Sequence, residues 1–439
     1  MLLGQLSVLL SLLGGSALAA PFTQNNARSD NPDLEARISV NLGFPYGSEK
    51  IRGVNLGGWL VIEPWITPSL FDQTGNDGII DEWTFGQNQD RGAAQSALRR
   101  HWDSWITEDD FRQIKAAGLN HVRIPIGYWA WDVSGGEPYI QGQLEYLDRA
   151  IGWARNTGLK VIIDLHGAPG SQNGFDNSGQ YGHIGWPDSG NNLERTKNVL
   201  GQIAKKYADP QYWQVVTALC LLNEPAAFDG RVANVLRQFW RDAYGAARFP
   251  WGNSNQSGLL LIISDGFQPL SSWNNYMTEP NYQSVAVDNH YYQVFNCDLN
   301  RMNWDQHLQD ICNKRNDWWS ADLWLLVGEW SLATTDCARY LNGRGKGARY
   351  EGNHDGCSWV GSCNGKSGNG DNFSNEYKQF LRKSFDIYTQ AMEQTGEGWT
   401  FWTWKAEEAA EWSYKDGMRL GFIPRNPTDH QTSLSSVCG

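Results

Sequence analysis

The amino-acid sequence predicts an α/β fold, a (β/α)8 TIM barrel with extended βα loops that form a pocket. The first observation is a series of eight short apolar or β-branched runs. The second is that longer stretches with helical periodicity lie between these runs. Eight strands that alternate with helices over about 350 residues are typical of this barrel.

Six of these runs carry polar or aromatic residues at or near their ends that can bind sugar hydroxyls or transfer protons, as barrel strands that lead to a binding site do. The predicted strands are Ile51–Leu56, His121–Pro125, Lys160–His166, Ala218–Glu224, Leu259–Asp265, Val285–Tyr292, Leu323–Trp330 and Gly398–Trp404. The predicted helices include Glu108–Ala117, Leu144–Asn156 and Arg231–Ala246. The alternative is an open doubly wound sheet. It is disfavoured because neither GxGxxG nor GxxxxGK[ST] follows a predicted strand.

The amino-acid composition limits the kinds of molecule that the protein is expected to bind. Hydrophobic residues make up 41% of the 439 residues and charged residues 19%, which indicates a globular chain rather than a disordered one. The net charge of −12 argues against a nucleic-acid partner, because phosphate binding needs clusters of Lys and Arg. The 23 Trp residues offer flat faces on which sugar rings can stack.

The N-terminal segment predicts secretion. An apolar run from Leu6 to Leu13 precedes the small-residue pattern Ala17-Leu18-Ala19, so residues 1–19 are interpreted as a signal peptide. A membrane anchor is the alternative, but the run is too short to span a bilayer. Residues 20–48 are interpreted as a propeptide or N-terminal arm, and residues 49–439 as a single domain. We therefore expect a secreted protein, extracellular or in the cell wall, without a membrane partner.

The seven cysteines fit this compartment. Their odd number leaves at least one unpaired within the chain, and Cys220, inside an apolar run, is predicted to be a buried free thiol. The other six lie between Cys297 and Cys438, with no spacing typical of zinc. The sequons at Asn255 and Asn372 predict surface glycosylation sites.

Two glutamates among the strand ends suggest glycoside hydrolysis, which needs a carboxyl group on each side of the scissile bond. Glu224 and Glu329 end the fourth and seventh predicted strands, so the barrel can bring them together. Asn223 can hold a sugar hydroxyl, and Arg123 can clamp a carboxylate and keep it ionised. Either glutamate alone could instead form a salt bridge. No HExxH motif or comparable ligand set indicates a metal site.

Longer sequence motifs are more specific to one protein family than single residues at strand ends are. They are IRGVNLGGWLVIEPWITPSLF (51–71), HVRIPIGYWAW (121–131), DLHGAPGSQNGFDNSG (164–179), LLNEP (221–225), HYYQVF (290–295), GEWS (328–331), DCARYLNGRGKGARYEG (336–352) and FWTWK (401–405). With these motifs the chain resembles the fungal exo-β-1,3-glucanases of glycoside hydrolase family 5. The resemblance covers essentially the whole chain from residue 51. NEP and GEW mark the wider clan, whereas DLHGAPGSQNGFDNSG and GARYEG are more specific.

The resemblance implies that Glu224 is the acid/base and Glu329 the nucleophile. It implies that glucose in the pocket is bound by Glu63, Arg123, His166, Asp176, Asn223, His290, Tyr292 and Trp402. Phe175 and Phe295 match the aromatic pair that grips the next glucose. The implied activity is the release of glucose from non-reducing ends of β-1,3-glucan, with transglycosylation. The expected partner is a β-glucan polysaccharide or oligosaccharide, and the expected enzyme is a monomer without metal or organic cofactor.

The resemblance also implies disulfides Cys312–Cys438 and Cys337–Cys363. Cys297 and Cys357 are additions to the usual cysteines and are candidates for a third bond. The segment from Ala406 to Trp412 reads AEEAAEW where the family usually has TENAPEW, which leaves the acceptor preference open.

Two other functions are weighed against this one. An endo-β-1,4-glucanase or mannanase of the same clan would share the catalytic pair but have an open cleft. Here the long segment from Thr334 to Asn372 is predicted to close the site into a pocket. A non-catalytic glucan-binding protein would keep the aromatic residues but would not need both Glu224 and Glu329.

Overall fold

Eight parallel strands close into a barrel in chain order, from β1 to β8. The strands are β1 Ile51–Asn55, β2 His121–Gly127, β3 Lys160–Gly167, β4 Val216–Cys220, β5 Leu260–Ser264, β6 Val285–Tyr291, β7 Trp324–Trp330 and β8 Gly398–Phe401. β1 pairs with both β2 and β8, which closes the barrel. The predicted (β/α)8 fold and all eight of its strands are confirmed.

Strand ends differ from the prediction in one place that matters for the site. β4 ends at Cys220, four residues before Glu224. Beyond Cys220 the chain still runs beside its neighbours, because the backbone N–H of Leu221 donates to the carbonyl of Ile262 and that of Asn223 to the carbonyl of Leu165. Glu224 then takes a positive φ of 45°, which a regular strand excludes.

This computed structural model describes residues 40–439, except 253 and 254. Within them the α-helices are Pro68–Asp72, Glu82–Gln87, Arg91–Ser104, Glu108–Ala116, Gln143–Thr157, Gly190–Tyr207, Gly230–Arg248, Cys297–Arg301, Trp304–Trp318, Asn375–Thr395, Tyr414–Leu420 and Ser435–Cys438. Short 3-10 helices lie at Tyr128–Ala130, Asp176–Ser178, Trp186–Asp188, Leu270–Trp273 and Ala410–Trp412. The three helices that the sequence predicted are present, with ends shifted by at most two residues.

Local sequence explains where several helices begin and end. Thr107 and Asp110 form a capping box before Glu108–Ala116, so the first free N–H groups of that helix have side-chain acceptors. Asn303 and Gln306 do the same for the helix Trp304–Trp318. The helix Gln143–Thr157 ends at Gly158, whose φ of 73° is a left-handed conformation that glycine adopts without a steric penalty.

The hydrophobic core has two main parts. Helices pack on the outer face of the strands and bury most of the large apolar side chains, among them Trp102, Trp240 and Trp399. A second cluster fills the barrel interior with side chains from β1 and from β3 to β7: Ile51, Ile162, Ala218, Cys220, Leu260, Ile262, Ala286 and Leu326. The barrel is therefore a packed scaffold, which leaves its carboxyl end free for a site.

Val40–Gly439 form one compact unit. The expected signal peptide and the expected arm up to residue 39 lie outside the described residues. Residues 40–48, also assigned to that arm by the sequence, belong to the barrel. Phe44 and Tyr46 join its interior cluster, and the Tyr46 hydroxyl donates to Thr217 Oγ1 at 2.8 Å.

Three disulfides join Cys312 to Cys438, Cys337 to Cys363 and Cys297 to Cys357. The first two are the pairs implied by the resemblance, and the third joins the two added cysteines. Cys220 is free and buried, as predicted. The last two bonds tie the long segment after β7 to itself and to the segment after β6.

Two further observations concern the predicted glycosylation sites and the helices. The side chains of Asn255 and Asn372 are exposed, as acceptors of N-linked sugars must be. Within the described residues, the helices are all too short or too polar to cross a membrane.

Candidate active site

A cavity of about 620 Å³ opens at the carboxyl ends of the strands. Its lining includes Glu224, Glu329, Trp402 and the rings of Phe175 and Phe295. The segment after β7 supplies part of the wall through Leu341, Asn342, Gly343, Arg349, His354 and Asp355. The loops after β3, β6 and β7 thus form a pocket around the two glutamates.

Glu224 and Glu329 face each other across this pocket. A carboxylate oxygen of each lies within 4.8 Å of the other, and both lie within that distance of a ring nitrogen of His290. Glu329 is held inside β7, whereas Glu224 follows β4 at its positive-φ position. Both side chains are almost fully buried. The fold therefore joins two carboxyl groups that are 105 residues apart in sequence, as the sequence predicted.

His290 lies between the two carboxylates. Its Nδ1 is 2.7 Å from Glu224 Oε1 and 3.4 Å from Glu329 Oε2. A register shift in the β6–β7 pairing, between Asp288 and His290, places His290 directly opposite Glu329. Glu329 and Asp288 hold the pKa of His290 well above its ordinary value, although burial acts in the opposite direction. A protonated imidazole is thus stabilised between the two acids.

Arg123 is fully buried beneath Glu329 and makes a dense set of contacts. Its Nη1 donates to Glu329 Oε1 at 2.8 Å and to Asn55 Oδ1 at 2.9 Å. Its Nη2 donates to Asn223 Oδ1 at 2.8 Å and lies 3.1 Å from Asp164 Oδ1. Because one planar guanidinium joins four neighbours, it fixes both the position of Glu329 and the orientation of the Asn223 amide.

Two further carboxylates fix the histidines. Asp164 Oδ2 lies 2.6 Å from His166 Nδ1, and Asp288 Oδ2 lies 3.2 Å from His290 Nε2. The ring of His166 also stacks on Trp402, with centroids 5.5 Å apart and planes 11° from parallel. A carboxylate that accepts a hydrogen bond from one ring nitrogen fixes the tautomer of a neutral histidine. It thereby decides whether the other ring nitrogen donates or accepts a hydrogen bond.

Several buried polar atoms near the carboxylates have no hydrogen-bond partner among the described residues. Among them are Glu63 Oε1, Asp176 Oδ2, His166 Nε2 and Asn223 Nδ2, which belong to residues that the resemblance assigns to glucose binding. An unpaired buried polar atom is costly, so a cluster of them in one pocket marks a place where a polar ligand supplies the partners. The set contains both donors and acceptors, as sugar hydroxyls require.

Glu63 and Asp176 are protonated more readily than ordinary acids. Burial, followed by the charges of Asp176 and Glu329, raises the pKa of Glu63 well above its usual range. Burial and the charge of Asp81 raise the pKa of Asp176 to about 7. Such acids can donate as well as accept a hydrogen bond near neutral pH, which suits the recognition of hydroxyl groups.

The pKa values of Glu224 and Glu329 are shifted in opposite directions. Burial opposes ionisation of Glu224, but the hydrogen bond and charge of His290 outweigh it, so its pKa lies below the ordinary value. For Glu329, burial outweighs the attraction of His290 and Arg123, and its pKa lies above the ordinary value. The charge of Glu224 also raises the pKa of Glu329. The two groups are therefore electrostatically coupled.

Aromatic side chains complete the pocket wall and its rim. The Tyr292 hydroxyl donates to Glu329 Oε2 at 2.9 Å, and its ring contacts Trp412. Phe175 and Phe295, the pair implied by the resemblance, are 37% and 45% exposed at the mouth. Phe295 lies edge-on to Tyr292, with ring centroids 5.5 Å apart.

The structure brings together every site residue named from the sequence. It also adds residues that the sequence analysis missed, namely Asn177, Asp164, Asp288, Trp65, Trp412 and Phe267. Asn177 Nδ2 donates to Glu224 Oε2 at 3.3 Å. The two aspartates had a detectable signal, because each precedes a strand-end histidine by two residues and so shares its face of the strand.

Glu224, His290 and Glu329 are also close enough to offer three ligands to a metal ion. However, Arg123 places a fixed positive charge 2.8 Å from Glu329, which would repel a second cation. The Nδ1 of His290 is already paired with Glu224. The contacts favour proton transfer and hydroxyl binding over metal ligation.

Comparison with known proteins decides the family. The model of the cellulase family, glycosyl hydrolase family 5, matches residues 86–408. The chain belongs to glycosyl hydrolase family 5. The predicted family and the predicted glycoside hydrolase class are therefore confirmed.

Similar family members come from fungi. The chain is 44% identical to the probable glucan 1,3-beta-glucosidase A of Aspergillus niger, over 96% of each chain. It is 45% identical to the glucan 1,3-beta-glucosidase of Blumeria graminis, over 91% of this chain and 92% of that one. A solved structure, the rutinosidase from Aspergillus niger, shares the fold with a TM-score of 0.67 at 18% identity, covering 86% of this chain and 99% of that one.

Proposed function

We propose that this family 5 enzyme is a retaining, exo-acting β-1,3-glucanase that releases glucose from non-reducing ends and also transfers glucose to other glucan chains. The observation that carries the proposal is the close pairing of Glu224 and Glu329 in one pocket. Retaining glycosidases hold their carboxyl groups ~5–5.5 Å apart, whereas inverting ones leave ~6.5–9.5 Å for a water molecule. The names of the similar fungal proteins support glucan as the substrate.

In the first step, the Glu329 carboxylate attacks the anomeric carbon of the terminal glucose while the glycosidic bond breaks. Glu224 gives its proton to the departing glycosidic oxygen, which leaves as the hydroxyl of the shortened glucan. The product is a glucosyl ester of Glu329. Arg123 and Tyr292, which hydrogen-bond the two oxygens of Glu329, orient the attacking carboxylate.

In the second step, Glu224 takes a proton from a water molecule, which attacks the anomeric carbon and releases glucose from Glu329. Two inversions at the same carbon give β-glucose. If a glucan hydroxyl takes the place of water, the glucose is transferred instead. The aromatic rings of Phe175 and Phe295 at the mouth are placed to hold that acceptor.

Exo action is supported by the wall that the segment after β7 builds. This segment carries pocket-lining residues from Leu341 to Asp355 and is tied by the bonds Cys337–Cys363 and Cys297–Cys357. A wall of this kind ends the site beyond one glucose, whereas an endo-acting enzyme needs a cleft open at both ends. The unpaired atoms of Glu63, Asp176 and His166 would bind the hydroxyls of that glucose.

The test is product analysis with two catalytic variants. The wild type should release glucose as the first product from laminarin, initially in the β form by NMR. Glu329→Gln and Glu224→Gln should each lose several orders of magnitude in kcat, and Glu224→Gln should lose less on aryl glucosides with good leaving groups. Glu194→Gln, an exposed helix position, is the matched control and should be unaffected. Laminaribiose and laminaritriose as first products, or initial α-glucose, would refute the proposal.

We also propose that the enzyme is secreted after removal of residues 1–19. The three disulfides and the two exposed sequon asparagines support an oxidising, extracellular destination.

A further inference from the structure

A row of exposed aromatic rings leads out of the pocket on the side of β4 and β5. Phe175 lies in the pocket lining and contacts Phe267 edge-on, with ring centroids 6.2 Å apart. Phe267, also in the lining, contacts Phe228 at 5.5 Å. Phe228 is itself 61% exposed. The row therefore starts at the pocket mouth and ends on the open surface.

Phe228 is held in place by its backbone. It lies in the short turn between Glu224 and the helix Gly230–Arg248, only four residues after the acid. The N–H of Ala226 donates to the carbonyl of Gln172, and the N–H of Asp229 donates to the carbonyl of Ala226. Asp229 caps the following helix by accepting from Arg231. The backbone of the turn that carries the exposed Phe228 ring is therefore held by hydrogen bonds on both sides of that residue.

We propose that Phe228 forms an outer glucan-binding subsite, which stacks on a glucose unit of the substrate beyond the one gripped at the pocket mouth. The inference rests on the proposed function, and it names a residue that extends the substrate site past Phe175 and Phe295. Phe175, Phe267 and Phe228 form one contiguous exposed apolar surface, and such surfaces mark interaction sites on proteins. Continuity with the catalytic pocket identifies the occupant as the remainder of the glucan chain.

The angles between the ring planes fit a glucan chain whose successive glucose units are rotated relative to one another. The planes of Phe175 and Phe267 are 81° apart, and those of Phe267 and Phe228 are 52° apart. A β-1,4-linked chain is a flat ribbon and stacks best on rings that share a plane. Successive units of a β-1,3-linked chain rotate, so each ring of a twisted row can meet its own glucose face-on.

The experiment compares wild type and Phe228→Ala on laminari-oligosaccharides of two to six units and on 4-nitrophenyl β-glucoside. The variant should lose about fivefold in kcat/KM on laminaritetraose and longer chains, through KM, which corresponds to ~1 kcal/mol for one stacked ring. It should retain wild-type values on laminaribiose and the aryl glucoside. Phe228→Trp should restore the preference for long chains.

Trp319→Ala is the matched control. Trp319 is 56% exposed, and it follows the helix Trp304–Trp318 just before β7, so it lies at the barrel end opposite the pocket. An unchanged length dependence in Phe228→Ala, or an equal loss in Trp319→Ala, would overturn the outer subsite while leaving the exo-glucanase proposal intact. A wild type that cleaves the aryl glucoside but none of the laminari-oligosaccharides would overturn both proposals. An equal loss of activity on every substrate, the aryl glucoside included, in a Phe228→Ala variant whose circular dichroism spectrum matches that of the wild type would also overturn the outer subsite.

Discussion

Replacing Arg123 by Lys tests how far the site depends on one guanidinium. Lysine keeps the positive charge near Glu329 but cannot reproduce the planar set of donors. The acceptor oxygens of Asn55 and Asn223, now bonded at 2.9 and 2.8 Å, would lose their partner in a fully buried position. Each buried acceptor left unpaired costs ~1–3 kcal/mol, so the variant should lose ~2–6 kcal/mol of unfolding free energy.

The assay is urea denaturation of wild type, Arg123→Lys and a matched variant. Arg52 also binds a carboxylate, donating to both oxygens of Glu393 at 2.8 and 2.7 Å, but this pair is partly exposed. Arg52→Lys should therefore cost less than ~1 kcal/mol. If the two variants lost equal stability, the argument for Arg123 would be wrong.

Three other predictions follow from the described contacts. Serine at both ends of the Cys312–Cys438 bridge, which spans 126 residues, should cost ~5 kcal/mol of unfolding free energy, against ~3.5 kcal/mol for the 26-residue Cys337–Cys363 bridge, as compared by urea denaturation. The folded-state pKa of His290 is raised, so the stability that its proton contributes is complete below about pH 6.5 and is lost as pH rises through the folded value. The stability difference between wild type and His290→Asn, measured from pH 5 to 9, should therefore shrink with rising pH, and a difference that grew would contradict the assignment. Alanine at both Phe175 and Phe295 should lower oligosaccharide turnover by about 30-fold, at ~1 kcal/mol per ring, and affect aryl glucoside hydrolysis less.

The sequence could predict the barrel because short apolar or β-branched runs alternate with helical stretches, and six of the eight runs carry polar or aromatic groups at or near their ends. Arg123, for example, follows Val122 and precedes Ile124, a pattern that marks a charged group within a buried strand. The pairing of Glu224 with Glu329 followed from the fold alone, since all strand carboxyl ends of a barrel meet at one face. These features depend on local pattern and on topology, both of which are visible in sequence.

Other features depend on geometry that a one-dimensional pattern does not contain. The register shift that places His290 opposite Glu329 has no sequence signature. The Cys297–Cys357 bond joins segments 60 residues apart whose proximity is set by the loops. The contact of Phe228 with Phe267 likewise arises between two loops after neighbouring strands. Loop conformation, rather than element identity, is what the sequence left undetermined.

The proposed two-step reaction needs Glu224 to act first as an acid and then as a base, and the charges around His290 meet both needs. In the free site the pKa of Glu224 is lowered and that of His290 is raised, so the proton for the acid step belongs to the pair rather than to Glu224 alone. The 2.7 Å contact between them lets that proton reach the carboxyl group as the leaving oxygen gains charge. Formation of the ester then removes the negative charge of Glu329. That charge had raised the pKa of His290, so His290 holds a proton less strongly in the ester than in the free site. The pair consequently stays deprotonated, and Glu224 is ionised when water must be activated. Release of glucose restores the Glu329 charge and returns the proton taken from water to the pair.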